Sequence, residues 1–114
     1  MNRCQKLDIL DRLIFIRGKY LKLEFMLKLD DEDATTIEDA TARLAGRIED
    51  IRTQLHDRWS GSANRTTAEL RKISRRLQKV IRTIDTETDV AESILKAVGY
   101  VDDVLRITGR ILGV

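Results

Sequence analysis

The sequence predicts an all-α protein, an antiparallel four-helix bundle of coiled-coil-like hairpins forming one domain over residues 1–114, and three observations carry that prediction. The chain has no proline and only six glycines, too few punctuating residues for the frequent turns of a β fold. Charged residues make up 35% and hydrophobic residues 42%, the balance of helical bundles. Apolar residues recur at alternating steps of three and four, so each long segment has an apolar face as a helix and none as a strand. At 114 residues such a chain buries roughly two-thirds of its unfolded surface, enough for a core without staples.

The first helix is predicted over residues 5–29, and its apolar residues form two rows. Ile9, Leu13, Ile16, Tyr20, Leu23 and Leu27 make one, and Leu7, Leu10, Ile14, Leu21 and Phe25 make the other. Between them runs a charged seam of Lys6, Arg17, Glu24 and Lys28, which lets a different partner pack on each side. Asp30, Asp31, Glu32 and Asp33 read as a solvated turn. Thr35 and Glu38 have capping-box spacing, which starts the second helix at residues 36–59 with the seam Ile37, Leu44, Ile48, Ile51 and Leu55.

Trp59, Ser60, Gly61 and Ser62 form the strongest turn signal, with Trp59 packing at the end of the bundle. Thr66 and Glu69 have capping-box spacing again, opening a third helix at residues 67–84 with the seam Leu70, Ile73, Leu77, Val80 and Ile84. Residues 85–89 are poor in helix formers and can recap at Thr86 or Asp89, which predicts a break before a fourth helix over residues 90–112. The alternative is three helices, because the seam resumes in phase at Ala91, Ile94, Val98, Val101 and Leu105. One unbroken helix of that length would span ~70 Å and project beyond its neighbours.

The fourth segment is apolar over a wide arc, like the first. In a four-helix monomer each helix hides about one stripe, so the surplus predicts self-association through residues 5–29 and 90–112. The residues expected to carry it are Leu10, Ile14, Leu21, Phe25, Val104, Ile107 and Ile111. The functional expectation is a non-enzymatic protein–protein interaction module, a homodimer or a subunit of a larger assembly.

A nucleic-acid-associated protein is the second reading. Arg71, Lys72, Arg75, Arg76, Lys79 and Arg82 lie opposite the apolar seam of the third helix, a face suited to phosphates or an acidic partner. Against this, the whole chain carries only +2, the cluster has no interleaved aromatic for base stacking, and residues 30–39 bring six carboxylates that can balance it.

Other chemistries are excluded or unsupported. One cysteine, Cys4, permits no internal disulfide and favours a reducing, cytoplasmic setting. No uncharged apolar run reaches the ~18 residues of a membrane span, and Asp8 and Asp11 interrupt any signal-peptide core. The sole histidine, His56, has Thr53 three residues before it, which rules out the Glu-x-x-His pairs of di-metal bundles. Residues 30–39 lack the glycine and terminal glutamate of a calcium loop. Neither a nucleophile–base pair nor a phosphate-cradling glycine loop is present, so no cofactor and no enzyme activity are expected.

Trp59-Ser60-Gly61 between two amphipathic segments resembles the Trp-x-Gly turn of the small helical-hairpin proteins exported by type VII secretion, over residues 44–84. The resemblance implies a secreted protein that dimerises as helical hairpins. The chain departs from that family in the extra helix before Asp30 and in Val104, which stands four residues after Tyr100 where the family's export pattern has an acid.

Overall fold

The computed structural model describes residues 1–27, 32–86 and 88–113. It contains four helices and no strand among the described residues: α1 (Arg3–Met26), α2 (Glu32–Thr53), α3 (Ala63–Asp85) and α4 (Val90–Leu112). Their near-equal lengths build a bundle of 43 × 22 × 19 Å. The predicted break is present and α4 has the expected bounds. Asp89 precedes α4 in the left-handed region at φ 46°, a conformation that short polar residues tolerate better than most, and its carbonyl accepts from the Ser93 N–H. Glu87, one residue of the predicted break, lies outside the described residues.

The other helix starts differ from expectation. α2 begins at Glu32, ahead of the Thr35/Glu38 pair, and its first turn carries Glu32 and Asp33, whose charge suits the positive end of the helix dipole. Thr36 lies within the helix and donates to the Glu32 carbonyl at 3.0 Å. α3 begins at Ala63 with Ser62 as N-cap accepting from the Arg65 N–H, so Thr66 is internal and bonds the Ser62 carbonyl. In both places the Thr-x-x-Glu spacing falls inside a helix, and the hydroxyls of Thr36 and Thr66 reach back to the carbonyl four residues earlier. α2 also stops at Thr53, six residues short of Trp59, and α1 stops at Met26; Lys28, Leu29, Asp30 and Asp31 lie outside the described residues.

Around the bundle, α1 packs on α2 and α3, and α4 packs on the same two. α1 and α4 therefore stand on one diagonal, and α2 and α3 on the other. Neighbours within each hairpin, α1–α2 and α3–α4, are antiparallel. Neighbours between hairpins are parallel: Lys19 of α1 bonds Gln78 of α3 at 2.6 Å, and Arg43 of α2 pairs with Asp102 of α4 at 2.7 Å. The molecule is thus two helical hairpins stacked side by side, the arrangement of successive repeats in a helical solenoid. Because α2 and α3 do not pack together, residues 44–84 do not form the helical hairpin that the Trp-x-Gly resemblance implies.

The connection through residues 54–62 crosses that diagonal and is fastened at one pole. Trp59 is buried there as expected, and its indole N–H donates to the Gln54 carbonyl at 2.8 Å. Lys6, read from sequence as part of a charged seam, is buried; its ammonium donates to the carbonyls of Leu55 and Asp57 at 2.9 and 2.5 Å and lies 5.3 Å from the Trp59 ring centre. A cation beside carbonyls left free at the end of α2 is favoured by both hydrogen bonding and the helix dipole. Ser60 completes the fastening, donating from its N–H to the Ile111 carbonyl and from its hydroxyl to the Arg110 carbonyl.

Candidate interaction surfaces

The two apolar rows of α1 meet different fates. Ile9, Leu13, Ile16, Tyr20, Leu23 and Leu27 are all buried in the core. On the opposite side, inclined toward α2, Ile14, Leu21 and Phe25 are 38%, 44% and 91% exposed, with Leu7 half-buried in line with them. Gly18, between Ile14 and Leu21 on this stripe, has no neighbouring atom within 4 Å of the position a Cβ would take. Between α1 and α2 a groove of about 140 Å³ is lined by Arg17, Ala45, Ile48, Glu49 and Arg52, and Ala42 and Gly46 of α2 are exposed.

Four of the seven residues expected to mediate self-association are not available for it. Leu10, Val104, Ile107 and Ile111 are buried in the chain's own core. α4 covers its wide apolar arc internally, with small Ser93, Ala97, Thr108 and Gly109 buried along with Ile94, Val101, Val104, Ile107 and Ile111, where α2 and α3 pack on it. The Thr108 hydroxyl bonds the Val104 carbonyl within the same helix at 2.8 Å, so its burial leaves no polar group unpaired. What α4 still exposes is Leu95. Most of the surplus apolar surface therefore lies on α1, which carries four of the five exposed large apolar side chains among the described residues.

The outer faces of the two hairpins differ in kind. Along α3 and α4 run two grooves of about 370 and 270 Å³. Arg76, Lys79, Glu92 and Lys96 line the first, and Arg65, Glu69, Asp103 and Arg106 line the second. This is a polar face. The α1–α2 face, with Ile14, Leu21 and Phe25, is the apolar one.

All six cations predicted on α3 are exposed: Arg71, Lys72, Arg75, Arg76, Lys79 and Arg82. Glu69, the one carboxylate between Arg65 and Arg82, is held by Arg65 at 3.0 Å and Arg110 at 2.6 Å. Among the described residues none of the six forms an ion pair. The acidic first turn of α2 stands across the diagonal from α3.

The fold also supplies the aromatic that the linear sequence lacks at this cluster. Phe15, on α1, belongs to neither apolar row and is 62% exposed. It lines a groove of about 200 Å³ between α1 and α3 together with Arg12, Ile16, Leu70, Arg71, Ser74 and Arg75. Lys19 lies 4.8 Å from its ring centre. The Lys19 ammonium has its pKa lowered, first by partial burial and then by repulsion from Lys22 and Arg82, a mark of positive potential along this side. Sequence spacing does not reveal the Phe15 position, because α1 and α3 become neighbours only through the crossover.

No group of three or more His, Cys, Asp or Glu side chains among the described residues is placed to hold a metal ion. His56 is exposed in the turn after α2, and Cys4 is a free, exposed thiol. No described helix is long and apolar enough to cross a membrane. Comparison with known proteins finds no family model, no curated protein and no solved structure that matches the chain.

Proposed function

We propose that the chain is a non-enzymatic assembly module that self-associates by stacking the α1–α2 face of one copy on the same face of a second. The observation that carries this reading is the stripe of Ile14, Leu21 and Phe25, exposed on the side of α1 away from the core. In stacked helical hairpins a polar outer face terminates the stack, whereas an apolar one calls for another hairpin. The α3–α4 hairpin has the first kind of face and the α1–α2 hairpin the second.

A twofold pair uses the same patch on both copies. Gly18, open on the stripe, permits close approach where two α1 helices cross. An antiparallel crossing there brings Asp11 of one copy within about one helical turn of Lys22 of the other. Ile14 and Leu21 are already more than half covered, so the three anchors of both copies contribute roughly 5–10 kcal/mol together, against an association cost of about 4 kcal/mol or more, which puts the pair at tens of micromolar when the anchors close fully. A cytoplasmic setting suits the exposed thiol of Cys4.

Sedimentation equilibrium at tens of micromolar, on the order of the expected dissociation constant, tests the reading. The wild-type chain is expected to be a dimer and F25D a monomer with unchanged helical content, since Phe25 makes little contact within its own chain. A wild-type chain that stays monomeric at those concentrations removes the proposal.

A further inference from the structure

We propose that the groove between α1 and α3 binds single-stranded nucleic acid, with Arg71, Arg75 and Arg82 against the phosphates and Phe15 stacked on a base. This surface lies on a different side of α1 from the Ile14–Leu21–Phe25 stripe, so the inference stands apart from the self-association reading.

Three observations converge on it. The first is charge without compensation: the α3 cations are exposed and unpaired among the described residues, while Glu69 is engaged by Arg65 and Arg110. Of the groove's own cations only Arg12 has a carboxylate in reach, Asp8 at 3.4 Å. Free guanidinium groups are the side chains best suited to phosphate, which they can grip through two N–H donors at once.

The second is the spacing. Arg71, Arg75 and Arg82 lie on the α1 side of α3 and spread three cations over ~16 Å of helix, whereas Lys79 lines the α3–α4 groove. Such a row tracks a backbone rather than a single anion. The third is the ring. Phe15 is an exposed aromatic beside Arg71 and Arg75, above a floor of Ile16 and Leu70, and no carboxylate lines the groove. Cationic tracks combined with an aromatic platform are how sequence-tolerant single-strand binders hold their ligand.

A duplex is disfavoured because its base faces are closed by stacking and no helix projects from the bundle to enter a major groove. An acidic peptide supplies charge but no flat face for Phe15.

Fluorescence anisotropy of a labelled oligothymidine with the 114-residue chain, over a salt series, tests the assignment. Binding is expected to saturate and to weaken steadily as salt rises. R71E/R75E is expected to lower the slope of log affinity against log salt by about 1.4, the share of two phosphate contacts on a single strand. F15A is expected to bind about tenfold more weakly with the slope unchanged, as loss of stacking alone requires. All three substituted positions are solvent-facing, and circular dichroism checks that each variant keeps its helices. Absence of saturable binding at low salt overturns the proposal. So does an F15A variant that binds like the wild type, which removes the stacking platform, or a polyglutamate or phosphopeptide probe that binds as tightly as the oligonucleotide, which assigns the face to acidic partners instead.

Discussion

The phenol of Tyr20 on α1 donates its proton to the Ala97 carbonyl on α4 at 2.6 Å, joining two helices that stand on a diagonal of the bundle and otherwise do not pack together. Tyr20 is fully buried. Its hydroxyl therefore crosses the centre of the core at a point where an apolar residue of the same size would leave the bond unmade. Removing the hydroxyl as Y20F should cost about 1 kcal/mol of stability, which corresponds to a melting temperature lower by about 4 °C. Differential scanning calorimetry reads both.

The same burial sets a pH dependence. Burial pushes the Tyr20 phenol well above its ordinary pKa of 10.0, and the neighbouring Tyr100, Asp102 and Asp103 push it in the same direction. A group whose folded pKa is raised contributes stability that is complete below the unfolded value and is lost as pH rises through and beyond it. Wild-type stability should thus fall above pH ~10 by up to about 1.4 kcal/mol per pH unit from this group alone. Urea titrations of wild type and Y20F at neutral and alkaline pH test the sign: the difference between them should shrink as pH rises.

Lys6 binds the carbonyls of Leu55 and Asp57 from a buried position, so K6M removes two charge-assisted hydrogen bonds and keeps most of the aliphatic bulk. A loss of about 2 kcal/mol is expected. Combining K6M with W59F should give less than the sum of the two single losses, because both side chains fasten the same connection. Chemical denaturation of the four proteins in the cycle measures the coupling.

Gly46 sits in the interior of α2 and Gly18 in that of α1, and neither has an atom within 4 Å of where a Cβ would stand. G46A should stabilise the chain by about 0.5–1 kcal/mol, because alanine loses less backbone freedom in a helix than glycine does. G18A should give the same gain in dilute solution yet weaken self-association if two α1 helices cross there. Melting curves at low concentration and sedimentation at high concentration separate the two effects. Equal dimerisation of wild type and G18A would place the crossing elsewhere on the stripe.

Much of the fold is legible in the residues themselves. The row from Ile9 to Leu27, the seam from Leu70 to Ile84 and the bounds of α4 follow from periodicity and turn chemistry, since burial of one helical face is a local pattern. Which helix each face meets is not local. Periodicity cannot distinguish a bundle in which α2 packs on α3 from one in which they stand across a diagonal. The wide arc of α4 misleads for a related reason: its count of apolar residues suggests an open surface, while two neighbours, α2 and α3, cover it from either side. Phe15 gains its place beside Arg71 only when α1 and α3 come together.

The diagonal crossover also fixes an order of events in time. Lys19 and Gln78, and likewise Arg43 and Asp102, are 59 residues apart along the chain, whereas partners inside each hairpin are joined by short turns. Closing a short loop loses less chain entropy than closing a long one, so each helical pair should zip up early and their mutual docking should come last. Substitutions at the junction of the pairs, Tyr20 among them, should then speed unfolding while leaving the refolding rate nearly untouched.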